Sequence, residues 1–131
     1  MTFLELPQRP RRRRRWRASH RNRTAQACWL MEEAVAAAFA VPVAEVRAPS
    51  RCTADVAFAR QSAMYLAHVA LGLSCNKVGR MFHRDRTTAA HACLMVEERR
   101  DDPAVDRMLD MLESVCAELA RGRLERPQVR R

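Results

Sequence analysis

Apolar and small residues recur at helical spacing through most of the chain, and no stretch alternates as a strand would. Val56, Ala59, Ala63, Leu66, Ala67 and Ala70 fall three and four positions apart and predict one buried face of a long helix, with Thr53 as its N-cap. Gly72 supplies the left-handed residue that commonly ends a helix, and Ser74 is a good N-cap for a new short one. In that short helix Val78, Met81 and Phe82 point inward, while Lys77 and Arg80 point outward. Asp85 then caps a further helix, whose buried stripe is Ala89, Ala92, Cys93 and Val96 and whose opposite face carries Thr88, His91 and Met95. The layout over residues 60–92 is that of a helix-turn-helix, so duplex DNA is the expected ligand.

The flanks complete an all-α plan. A first helix is expected from Gln26 to Phe39, with Trp29, Leu30, Val35 and Phe39 in the core, stopped by Val41-Pro42. A short helical turn at Val43–Val46 leads into Ala48-Pro49-Ser50-Arg51. Asp101-Asp102-Pro103 opens a last helix, with Val105, Met108, Leu109, Leu112, Val115, Cys116 and Leu119 as its stripe. Residues 1–25 combine prolines with an arginine run and little periodicity, and are expected to be a disordered arm. The tail 121–131, with Gly122 and Pro127, is expected to fray, which leaves residues 26–120 as the folded domain.

Composition changes this picture mainly through the placement of charge. The formal net charge is +9, yet residues 1–27 hold nine arginines against one glutamate and residues 121–131 hold five against one. The middle is therefore slightly acidic. Within it, residues 45–86 hold seven basic against three acidic groups, whereas residues 97–120 hold three against eight. Positive charge inside the fold thus gathers at the helix-turn-helix, as suits a face laid on phosphates. The five cysteines are widely spaced without a CxxC pair, so reduced thiols are expected and no metal site. No secretory signal and no apolar stretch of membrane-spanning length is present, and a cytoplasmic, nucleoid-associated protein with no membrane partner follows as the expectation. No nucleophile, base and orienting group converge, so no catalytic residue is assigned and an enzyme is not expected.

Three stretches carry a resemblance to a known family. Arg60-Gln61-Ser62-Ala63-Met64-Tyr65-Leu66-Ala67, Val78-Gly79-Arg80-Met81-Phe82 and Arg84-Asp85-Arg86-Thr87-Thr88-Ala89-Ala90-His91-Ala92 occur in order. They resemble the RQ-x-AMYLA, serine-led short helix and GRDHTTV-x-HA signatures of the carboxy-terminal DNA-binding domain of the bacterial replication initiator DnaA. The likeness runs from Leu30 to Glu118 and includes the valine-proline-valine turn between Phe39 and Ala48. It implies a five- to six-helix, DnaA domain IV-like helix-turn-helix of the Trp-repressor-like kind, binding double-stranded DNA at DnaA-box-like sites. The chain's three glycines, at 72, 79 and 122, cannot form a GxxxxGK[ST] phosphate loop. The resemblance therefore implies a reader that regulates replication initiation or transcription without ATPase activity, nucleotide or other cofactor, with full-length DnaA or other replication and transcription proteins as further partners.

Residue by residue, the resemblance assigns base reading to Asp85, Arg86, Thr87, Thr88 and Asn76. The clustering of charge at the motif points to phosphate contact by Arg60, Lys77, Arg80 and Arg84, the place of His91 beside Thr88 adds a further phosphate donor, and the resemblance leaves Arg51 for the minor groove. Asp85 would both cap its helix and accept a hydrogen bond from a base amino group. Departures from the pattern bear on the target. Arg86 replaces a histidine, and its fork favours guanine. His83 stands where glycines are usual in a loop one residue shorter. Asn76 and Lys77 replace a proline and a glutamate, and the family's minor-groove arginine falls at or beside Cys52, leaving Arg51 to take its place. The bland alternatives are a plain N-cap at Asp85 and solvated surface charges elsewhere.

The arm admits its own readings. Arg11–Arg15 with Arg17, Arg21 and Arg23 would release counterions from duplex DNA or enter a narrow minor groove, or merely keep the chain soluble. Trp16 could stack on an unpaired base, which is the argument for RNA. Another function class is an adaptor that keeps the fold and docks through its acidic last helix.

Overall fold

A computed structural model describes residues 10–49 and 53–122. They form six helices: α1 Pro10–Phe39, α2 Val43–Arg47, α3 Ala54–Val69, α4 Cys75–Met81, α5 Arg86–Arg99 and α6 Pro103–Ala120. The all-α plan expected from periodicity holds, and most boundaries fall within a residue or two of the sequence signals.

The first helix is the exception. It begins at Pro10 rather than Gln26, so the expected disordered arm is corrected for residues 10–25, which are helical. Proline is tolerated in the first turn of a helix, and no glycine or proline interrupts the chain from Arg11 to Phe39. Arginine and alanine are also good helix formers. Residues 1–9 of the arm and 123–131 of the tail lie outside the described residues.

The core forms around α3. Ser62 through Ala67 are all buried, together with Val56, Ala59 and Arg60, so this helix is enclosed on every side and not only along its predicted stripe. All five other helices pack against it, with α1 also against α6 and α4 also against α5. Met31 and Val35 of α1 and Leu109, Leu112 and Cys116 of α6 are buried almost completely. Burial raises the Cys116 thiol to about 12, with the neighbouring Cys28 and Glu113 adding to it. Phe39 meets Phe58 edge-on at 5.1 Å between ring centroids, joining the end of α1 to the start of α3.

Trp29 is corrected from its expected place in the core. It is 37% exposed, and the Arg47 guanidinium lies 4.8 Å from its ring centroid. Ala27, Cys28 and Met31 take the buried positions instead. Arg47 also binds the Glu32 carboxylate at 2.5 Å and the Trp29 carbonyl at 3.0 Å, which ties α2 to α1.

Candidate nucleic-acid interface

The turn into α4 is built as its residues dictate. Gly72 adopts φ 72°, and the Leu73 amide returns to the Ala67 carbonyl at 3.0 Å, burying Leu73. Ser74 Oγ accepts from the Lys77 amide at 3.2 Å and starts α4. Val78 and Phe82 are buried and Met81 is half-buried, while Asn76, Lys77 and Arg80 are exposed.

Gly79 then governs how closely the two helices of the motif approach. A Cβ placed there would stand 2.8 Å from the Arg84 carbonyl and 2.9 Å from that of Asp85, both backbone atoms. The Arg84 amide donates to the Gly79 carbonyl at 2.7 Å, so loop and short helix are stitched together. The turn is completed by His83 at φ 56°, in the left-handed region that glycine occupies freely and other residues rarely. Arg84 is half-buried beside it.

Asp85 caps α5 by accepting from the Thr88 amide at 2.7 Å. Hydrogen bonds from the Thr88 amide and hydroxyl, and from the Thr87 amide, hold its carboxyl below the ordinary 3.8, so it is charged throughout the physiological range. The exposed carboxylate is thus pre-aimed at the helix start. From there Arg86, Thr87, Thr88, Ala90, His91 and Leu94 are all exposed, while Ala89, Ala92 and Val96 are buried against the body. The predicted base-reading residues Asp85, Arg86, Thr87 and Thr88 therefore share one open end of α5, with Asn76, Lys77 and Arg80 exposed on the adjoining α4.

Arg60 is not part of this face. It is 5% exposed, and its guanidinium donates to the Val46 carbonyl at 3.2 Å and the Glu45 carbonyl at 2.7 Å. These carbonyls belong to the last turn of α2, where acceptors lack the usual i+4 amide; that of Glu45 also accepts from the Ala48 amide at 3.3 Å. The expected phosphate contact is corrected to an internal brace. Arg51 and Cys52 lie outside the described residues.

At its other end α5 is anchored by a network that helical periodicity did not suggest. Arg100 binds Asp106 at 2.6 Å, Glu113 at 2.8 Å and Asp110, and donates to the Tyr65 hydroxyl at 3.1 Å. The Tyr65 hydroxyl in turn donates to Glu97 at 2.6 Å. Burial first, then the bond to Glu97, pushes the Tyr65 hydroxyl up to about 12. A signal was present in the sequence: Asp106, Asp110 and Glu113 recur at i, i+4 and i+7, an acidic stripe awaiting a cation. Arg99 adds a cation–π contact, its guanidinium 4.2 Å from the Phe58 ring centroid.

Residues 30–96, which contain the whole helix-turn-helix, match the family described as the bacterial DnaA protein helix-turn-helix. Chromosomal replication initiator protein DnaA 1 of Protochlamydia amoebophila is 36% identical over 81 residues, which are 61% of this chain and 18% of that protein. The DnaA of Lachnoclostridium phytofermentans is 33% identical over 85 residues, covering 63% of this chain and 18% of its own length. That of Thermodesulfovibrio yellowstonii is 29% identical over 85 residues, 63% of this chain and 19% of its own. The match spans less than a fifth of each of these relatives.

Proposed function

Because this chain belongs to the bacterial DnaA helix-turn-helix family, a family whose fold binds DNA, we propose that it reads duplex DNA at DnaA-box-like sites. It acts there by occupancy, modulating replication initiation or transcription, with no chemistry of its own. The observation that carries this reading is the open start of α5. Asp85, charged and held by its own cap, stands beside the exposed Arg86, Thr87 and Thr88 on a helix whose far end is fixed. Major-groove readout needs donors and acceptors on a rigid element, and this end supplies both. Lys77, Arg80 and His91 flank it as phosphate contacts.

The adaptor reading is weakened by the same structure. Asp106, Asp110 and Glu113, acids that a basic partner would seek on α6, are engaged by Arg100.

Selection from a randomised duplex pool tests the proposal. A consensus resembling a DnaA box, with guanine favoured where Arg86 reaches, is the expected result. A pool that yields no consensus would sink it.

A further inference from the structure

A second basic surface adjoins the helix-turn-helix. A cleft of about 460 Å³ opens where the body of α1 meets the end of α6, with Arg23, Leu30, Leu71, Leu119 and Arg121 in its lining. Leu71 belongs to the turn that leads into α4, so the cleft and the DNA-reading motif share a wall. The Cys28 thiol points to the same proximity: burial pushes it up to about 11, Glu32 adds to the rise, and the Lys77 charge opposes it. Thus α1 passes within electrostatic reach of α4.

Three contacts fix the sense of the helices. Phe39 meets Phe58 while Leu30 and Leu71 share the cleft, so α1 runs antiparallel to α3. Tyr65 and Glu113 share Arg100 while Leu71 and Leu119 share the cleft, so α6 runs with α3. Thus α1 and α6 are antiparallel, and residues 10–22 of α1 continue past the end of α6. At 1.5 Å per residue that extension is roughly 20 Å long. It carries Arg11–Arg15, Arg17 and Arg21, with Arg23 at its base. Arg11–Arg15 are consecutive, so their backbone positions, 100° apart, run all round one turn of the helix.

Such a helix is at odds with itself. Arg11 and Arg15, Arg13 and Arg17, and Arg17 and Arg21 are like charges one turn apart, which destabilise a helix. Its first turn holds no acid, and cations there oppose the helix dipole. Anions from outside relieve both conflicts. A flat acidic patch would neutralise one side only, whereas a groove of duplex DNA offers phosphates on two sides.

We propose that residues 10–23 of α1, with Arg121 at their base, form a second duplex-DNA anchor that extends the helix-turn-helix footprint along the same duplex to one side. This rests on the reading that the helix-turn-helix binds duplex DNA. At the spacing of phosphates along one strand, ~20 Å of helix covers about six base pairs.

Hydroxyl-radical footprinting of the full chain on a long duplex carrying the selected site tests it. The comparison is with the five-fold variant R11Q/R12Q/R13Q/R14Q/R15Q, since glutamine keeps helix propensity and equal melting curves certify the fold. Both proteins should protect the site, and only the unaltered chain should protect a block of about six base pairs on one flank. The slope of log affinity against log salt should be shallower by roughly three in the variant. Ala18→Pro, which keeps every charge but breaks the helix, should erase the sharp flanking block. A flank that is unprotected, one unaffected by the glutamines, or an arm-dependent preference for single-stranded RNA would each overturn the proposal. Absence of protection at the site itself, in both proteins, would remove the helix-turn-helix reading and this proposal with it.

Discussion

The two ends of α5 are built to opposite specifications. At its start Asp85 bonds to the backbone of its own first turn, and Arg86, Thr87 and Thr88 stand exposed. At its end Arg100 gathers Tyr65, Asp106, Asp110 and Glu113 from two other helices. An end proposed to read bases must leave its donors and acceptors unspent, so local capping is all the order it can accept. The anchored end spends Arg100 and Tyr65 on the protein and thereby holds the helix at a fixed angle.

The largest effect should follow from breaking the joint between α4 and the reading end. Gly79→Val would force a side chain against the Arg84 and Asp85 carbonyls, and should cost about 3 kcal/mol, the upper range for overpacking. Thermal unfolding would register that loss, and gel shifts should show binding abolished. Next, Arg100→Ala removes the hub of the anchored end and leaves three acids and Tyr65 facing one another. Discounted for the partial exposure of the cluster, the cost should be about 2 kcal/mol, read as a lowered denaturation midpoint. Affinity for the selected site should fall less than stability does.

At the reading end the balance reverses. Asp85→Ala and Thr87→Ala should relax sequence preference roughly tenfold at one position, the first with a modest drop in melting temperature from the lost cap, the second with little change. Lys77→Ala, by contrast, should weaken binding to all duplexes alike. If the Asp85 and Lys77 variants show the same pattern in gel shifts, the division between reading and phosphate contact fails. The cap also has a pH signature. Its folded pKa lies below 3.8, so its contribution is complete above that value and disappears as pH falls through the folded pKa. Helicity of the unaltered chain should therefore drop below pH 4 by an amount that Asp85→Ala lacks. The smallest effect is a gain: His83→Gly relieves a left-handed residue and should stabilise the fold by about 1 kcal/mol.

The same contrast explains what the sequence discloses. Ser74, Asp85 and Asp102 are legible as caps because each bonds to an amide two or three residues on. The open end of the candidate site is therefore readable almost residue by residue. Arg60 is not, since its partners are carbonyls 14 and 15 positions away, and only the packing of α2 on α3 brings them together. The Arg100 hub is hidden for the same reason, although its acids keep helical spacing. Trp29 misleads because bulk suggests burial, while Arg47 offers its ring a cationic cover at the surface. The early start of α1 is missed when a run of arginines is weighed by its charge and not by its helix propensity.

The placement of charge along α5 and α6 has a kinetic consequence. Exposed Glu97, Glu98, Asp101 and Asp102 cluster at the corner between them, at the opposite end of α5 from Arg86. On the proposed duplex ligand this arrangement would act as a torque in the polyanion's field, turning the acidic corner away and the proposed reading end inward before contact. Encounters are then productive in a larger share of collisions, and the advantage fades as salt shortens the reach of the field.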